Sequence, residues 1–425
     1  MMTALSDSTS SYDDETIDVH VDVVVIGGGI AGLWTLAALQ KAGYHAVLLE
    51  SDTLGAGQTR YAQGIIHGGT KYALTGKLTA SSEAVADMPA RWRACHRGEG
   101  SGVSDVDLGA AILMSDAHYL WSTNTLTSKI SGFFASKVMR SRSSEVEEAA
   151  LPSLFRRDDF RGQIYRLDEP VFDTMSVVRA LAMPRLHSIL AIDAASLQHE
   201  PGAVRVRSRA GEAFRLRYRK VILMAGEGNE QLLQTFAQPT SQPGPAMQRR
   251  PLKMVVMRGG LTDQVYAHCL GASVNPRITI TSHFDSDGDI VWYMGGQLAE
   301  DGVKRTDDEL LRATCRELQE LIPWLDLQDM ELSVLEINRA EISQAGKKRP
   351  DNFTITDIDE GYVAWPTKMA LSPALADAML EKLQGLTPSG LQALPPWTSP
   401  IFADFPWNDN RHWLPAAAFL QGAGR

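Results

Sequence analysis

Val19-His-Val-Asp-Val-Val-Val-Ile-Gly27-Gly-Gly29-Ile-Ala-Gly32 decides the fold of this 425-residue chain. Val19 to Ile26 reads as a short, almost continuously apolar strand rich in β-branched side chains, as expected for a strand buried in a parallel sheet. Ile30, Leu33, Trp34, Ala37 and Ala38 then recur at helical spacing, and Ala46 to Leu49 restarts an apolar strand that ends in Glu50. In such a strand, loop, helix, strand unit Gly27 allows the tight turn and Gly29 lets the backbone approach a pyrophosphate. Gly32 lets the helix pack closely on the sheet, while Ile30 and Ala31 open a helix whose unpaired N–H groups face the anion. Glu50 stands 18 residues past Gly32, where a carboxylate accepts hydrogen bonds from an adenosine ribose and repels a 2′-phosphate. The unit predicts a dinucleotide site.

Bulk composition narrows the classes around that site. The chain is long enough for a large core, in two domains of ordinary size or one nucleotide domain with insertions. Aliphatic and aromatic residues make up 44%, charged residues 22%, and no apolar run approaches the roughly 20 residues needed to cross a bilayer. A net charge of −10 argues against nucleic-acid binding, which needs a basic field, so an anionic substrate must meet a local basic pocket. Cys95, Cys269 and Cys315 lie far apart with no Cys-x-x-Cys pair. Neither a zinc site nor an iron–sulfur cluster is expected from them, and electrons must leave through an organic cofactor. Residues 1–18 are polar and acidic, unlike a signal or transit peptide, which predicts a disordered tail and a cytoplasmic protein, peripheral at most to the inner face of the membrane.

Beyond Glu50 and Ser51, Gly55-Ala-Gly57-Gln58-Thr59 and Arg60 to Gly69 form a loop of small and hydroxylated residues, a suitable length to cross a pyrophosphate and reach an isoalloxazine. Within it, Gln63-Gly64-Ile65-Ile-His67-Gly-Gly-Thr-Lys71-Tyr72 resembles the flavin loop of FAD-dependent glycerol-3-phosphate dehydrogenases, in the D-amino-acid oxidase superfamily. Four further stretches occur in the order of that family. Val221-Ile-Leu-Met-Ala225-Gly226 is similar to the strand whose turn touches the FAD adenosine, with Asn229 placed to cap the next helix. Glu336-Ile-Asn-Arg339 and Lys348-Arg349-Pro-Asp-Asn resemble segments that carry the two substrate arginines. Trp365-Pro-Thr367-Lys368-Met369-Ala-Leu-Ser372-Pro373 resembles the stretch before the last flavin-facing helix, where Ser372 can cap and Pro373 suits the first turn. There Lys368 and the helix N-terminus would stabilise negative charge on the reduced ring.

The resemblance implies an α/β fold: a Rossmann-like FAD-binding domain with a parallel sheet, and an α+β substrate domain with a mostly antiparallel sheet. The FAD domain would draw on residues 19–85, 173–245 and 340–390, and the substrate domain on 86–172 and 246–339. Residues 391–425 form a tail rich in Pro and Trp. Strands at Lys253 to Arg258, Arg277 to Ser282 and Asp289 to Gly295 agree with the antiparallel sheet, and Thr306 to Ile322 reads as an amphipathic helix. Trp397, Trp407 and Trp413 either pack the tail over the body or meet a partner protein or membrane surface.

The activity implied is removal of a hydride from a C–H bearing a hydroxyl or amine on a small anion, passed to flavin N5. A quinone or carrier protein would reoxidise the flavin in a dehydrogenase, oxygen in an oxidase; the rivals are a flavin-bearing subunit of a larger redox complex and a non-catalytic sensor. Lys71, Tyr72, Arg339, Arg349 and Lys368 form the anion-holding set. His67 contacts the flavin and, with Arg339 and Lys253, makes up the catalytic set. Lys253, where the family places a histidine, can face the ring with a lowered pKa or lie along the sheet. His268 and His283 are further candidate bases. Three departures tell against glycerol 3-phosphate itself: Lys71 stands for an arginine, Trp365-Pro366 for a glycine pair, and Ala340-Glu341 for a proline after the arginine.

Overall fold

The computed structural model describes residues 16–69, 85–122, 143–146, 151–236, 245–271, 275–347, 350, 352–366 and 368–420. A six-stranded sheet runs in the order Thr354–Ile358, Gly361–Trp365, Lys220–Leu223, Val23–Ile26, Ala46–Glu50, Ile189–Ala191. Every neighbouring pair in it is parallel except the Thr354–Ile358 and Gly361–Trp365 hairpin at one edge. Its central strand Val23–Ile26 is fully buried, which accounts for the unbroken apolar run in the sequence.

That run is not one strand. Ile17–His20 pairs in parallel with Ala213–Arg217 in a separate four-stranded sheet, and only Val23–Ile26 enters the six-stranded one. The break falls at Asp22, 2% exposed, whose carboxylate accepts from the backbone N–H of His45 and Ser389 and pairs with Arg219. A buried carboxylate with that many donors fixes the chain where a continuous ladder would have placed an apolar residue.

The helix Ile30–Lys41 is buried continuously from Ile30 to Leu39, between the sheet and the helices Ser372–Lys382 and Thr174–Ala182. Its approach depends on Gly32, where a Cβ would lie 1.9 Å from the Gly27 carbonyl oxygen. Ser372 is the first residue of its helix, not its cap, and its hydroxyl donates to the Met369 carbonyl. Asn229 likewise opens its helix; its side chain accepts from Ala225 N–H and donates to the Ala364 carbonyl, tying two strand ends together.

A nine-stranded sheet, antiparallel except for the pair His118–Ser122 and Tyr266–Cys269, makes up the second layer system. Met247–Arg258 and Glu331–Ile342 form its longest ladder, continued on the Met247–Arg258 side by Ile290–Gly295 and then Ile278–Phe284. One face, with Trp121, Val255, Met257 and Trp292, packs on the helix Asp307–Leu321. The opposite side chains Met254, Val256, Val291 and Tyr293 join the core that surrounds the first helix. The capping box of Thr306 and Glu309 starts the helix Asp307–Leu321 where the sequence indicates.

The tail packs on the body. Residues 401–403 bracket Leu54 with two backbone hydrogen bonds, and Trp407, 2% exposed, stacks on Phe405 and donates to the Phe284 carbonyl. Trp397 meets Phe214 edge-on, and Trp413 lies under the Arg258 guanidinium. Among the described residues no helix is long and apolar enough to cross a membrane.

Candidate active site

A groove of about 540 Å³ opens at the carboxyl ends of Val23–Ile26 and Ala46–Glu50, where an open α/β sheet binds its ligand. Gly27, Gly29, Ile30, Ala31, Glu50, Ser51, Gly57, Gln58, Thr59, Ala225 and Gly226 all line it. Glu50 accepts from the N–H of Gly28 and of Asp52, and burial pushes its carboxyl above the usual range despite those bonds. Thr59 Oγ1 accepts from Ile30 N–H at 3.2 Å, which lays the crossing loop against the helix N-terminus. These residues fit FAD: backbone donors and a helix end for the pyrophosphate, a carboxylate at the far end of the second strand for the ribose.

Past Tyr61 the loop is pinned from two sides. Gln63 Nε2 donates to Thr281 Oγ1 and to the Tyr293 carbonyl, and Tyr293 Oη donates to the Tyr61 carbonyl. On the other side Ile65 bridges Val171, Ile66 N–H donates to Pro170, and Phe172 N–H donates to Gly64. Gly64 is required there, with φ +75° and a Phe172 oxygen 1.9 Å from where a Cβ would sit. Thr174 Oγ1 contacts both the Ala62 carbonyl and Met369 Sδ, so the loop and the Lys368–Met369 turn lie together as the sequence implies.

This pairing delivers Glu169, which the sequence analysis missed. Its carboxylate, 2% exposed, takes Gly68 N–H at 2.9 Å and His67 Nδ1 at 3.1 Å. Burial alone would raise its pKa, but the His67 hydrogen bond, the nearby His67 and His118 rings and Gly68 N–H hold it at about 2. The only signal in the sequence was an acid just before Pro170, which favours extended backbone at Glu169. His268 stacks on His67 with ring centroids 5.8 Å apart and meets His118 at 4.1 Å with the rings tilted by 52°, and Thr279 Oγ1 holds its Nδ1 at 2.7 Å. These side chains come from separate stretches of the chain, so no local spacing in the sequence brings them together.

Other candidates are placed elsewhere. Lys253 Nζ pairs with Asp307 at 2.7 Å and Glu336 at 3.0 Å, and the Asp307 hydrogen bond raises its pKa. It is therefore a charged residue held by the helix Asp307–Leu321, not a base facing the ring. Arg339 is held by Glu300 at 3.1 Å and by the Arg250 carbonyl, and is not among the groove-lining residues. His283 is fully buried, its pKa pushed down to about 3, and serves as packing beside Phe405 and Trp407. Trp365 is fully buried and donates to the Gly226 carbonyl, so its indole does not narrow a substrate pocket. Lys71, Tyr72, Arg349 and Thr367 lie outside the described residues.

The profile of the family described as FAD dependent oxidoreductase matches residues 22–336. The chain belongs to that family. The oxidoreductase is 44% identical over 395 residues to the probable FAD-dependent oxidoreductase PA4991 of Pseudomonas aeruginosa, covering 92% of this chain and 98% of that protein. The crystal structure of PA4991 superposes with a TM-score of 0.76 over the same shares of the two chains. Two remote structures share the fold. Glycine oxidase from Geobacillus kaustophilus has a TM-score of 0.59 at 12% identity, covering 88% of this chain and 97% of that one. L-α-glycerophosphate oxidase from Mycoplasma pneumoniae, with FAD bound, has a TM-score of 0.58 at 12% identity, covering 89% and 97%. The resemblance to glycerol-3-phosphate enzymes is thus met by a remote structural neighbour, at the level of fold.

Proposed function

We propose that this FAD-dependent oxidoreductase is a dehydrogenase that oxidises a carbon bearing a hydroxyl or an amine on a small anionic substrate, with His67 accepting the heteroatom proton. FAD, when bound, supplies the hydride acceptor at N5. The observation that carries the reading is the His67–Glu169 pair on the loop that follows Gln63. An ionised, buried Glu169 accepts the Nδ1–H of His67, which makes Nε2 the basic nitrogen and fixes the ring plane. Gly68 N–H on the second carboxylate oxygen prevents the pair from rotating. A base held in this way contributes on the order of 10²–10⁴ in rate. With a net charge of −10 the enzyme needs local cations for an anion. Lys368, half-buried at the turn that shares Thr174 with the loop, is one such cation; Lys71, Tyr72 and Arg349 complete the set by resemblance.

Anaerobic bleaching of the flavin by a panel of 2-hydroxy acids, amino acids and sugar or glycerol phosphates tests the reaction, followed by stopped-flow mixing with air. At least one anionic compound should bleach the flavin, and reoxidation by oxygen should be slower than turnover with a quinone. Bleaching by none overturns the substrate class. Oxygen reacting at the turnover rate overturns the dehydrogenase assignment.

A further inference from the structure

His67, Glu169 and His268 each present one ligand atom, and all three atoms lie within 4.8 Å of one another. We propose that these residues form a binding site for a divalent transition-metal ion of the zinc class, and that its occupation arrests the enzyme; the arrest rests on His67 being the proton acceptor.

Two imidazoles and a carboxylate suit zinc, whose non-structural sites take three protein ligands and leave a fourth position open. Ligand atoms on tetrahedral zinc lie roughly 3.4 Å apart, so small side-chain rotations close the group. The side chains are already oriented. Thr279 Oγ1 sits 2.7 Å from His268 Nδ1 and fixes the ring, so the opposite nitrogen, Nε2, is the one assigned to the metal. Gly68 N–H fixes one Glu169 oxygen and the other faces His67. Such outer partners distinguish a metal site from a chance grouping. Glu169 and His268 are each 2% exposed, while the His67 side chain is 16% exposed and offers the way in. His118, its ring 4.1 Å from that of His268, borders the cluster on the strand paired in parallel with Tyr266–Cys269. Hard, oxygen-seeking cations such as magnesium and calcium are disfavoured by the two nitrogen ligands.

Isothermal titration of zinc chloride into tag-free, FAD-loaded, chelator-treated enzyme tests the site directly. The expected result is one zinc per chain. His268→Ala should abolish saturable binding, and Thr279→Val, which leaves all three ligands in place, should weaken it by about 10- to 100-fold. Flavin content and Tm show that both variants are folded. Absence of binding, or equal binding by the enzyme and both variants, overturns the site. Zinc should also inhibit turnover, with the same ranking of the variants. Zinc that binds with this ranking yet leaves turnover unchanged upholds the site and overturns His67 as the base.

Discussion

Glu169 fixes the His67-Gly68 turn, because a buried anion must be neutralised and its carboxylate takes both the Gly68 N–H and the His67 imidazole. Replacing it with glutamine keeps the shape and removes the charge. Glu169→Gln should lower kcat/KM by about 10- to 100-fold and move the acid limb of the pH profile to lower pH, since the imidazolium loses the anion that stabilises it. An unchanged profile would assign Glu169 a purely structural part. At this scale the sequence was legible only where residues act through the backbone. Gly27, Gly32 and Glu50 are local and follow from spacing. Glu169 meets His67 across 102 positions, and the carboxylates that claim Lys253 and Arg339, Asp307 at 54 positions and Glu300 at 39, are also remote in sequence, so nothing in the local pattern could announce them.

Elements were legible where periodicity was clean. The first helix, the helix from Asp307 to Leu321 and the strands Ile278–Phe284 and Ile290–Gly295 follow from apolar spacing and caps, while the long ladder was legible only from Lys253 to Arg258. The split at Asp22 was hidden because apolar residues flank it on both sides. The strand Ile278–Phe284 carries a different signal in His283, which packs against Phe405 and Trp407 and whose Nδ1 has no hydrogen-bond partner among the described residues. Burial pushes its pKa down to about 3, while in the unfolded chain it titrates near pH ~6.5. The unfolded chain therefore holds a proton that the folded one refuses. The resulting stability is complete above pH ~6.5 and falls as the pH drops toward about 3, by about 1.4 kcal/mol per unit. His283→Leu should flatten the slope of Tm against pH between about 4.5 and 6.5; parallel curves for the two proteins would contradict the burial argument.

Across the whole molecule the last residues join the two sheet systems. Ile401 and Ala403 bond Leu54, which packs beside the groove, and Trp407 lies against Tyr293, whose hydroxyl holds the loop at Tyr61. Trp407→Ala should cost about 3–5 kcal/mol and, because the groove and the loop share this anchor, should also weaken FAD retention on gel filtration. A lowered Tm with full flavin content would separate the two effects and place the anchor outside the site. The bracketing of Leu54 by the tail has a consequence for biogenesis. Leu54 packs behind the glycine turn at Gly28 and gains its two backbone partners only once residues 401–403 have emerged from the ribosome, long after the turn itself.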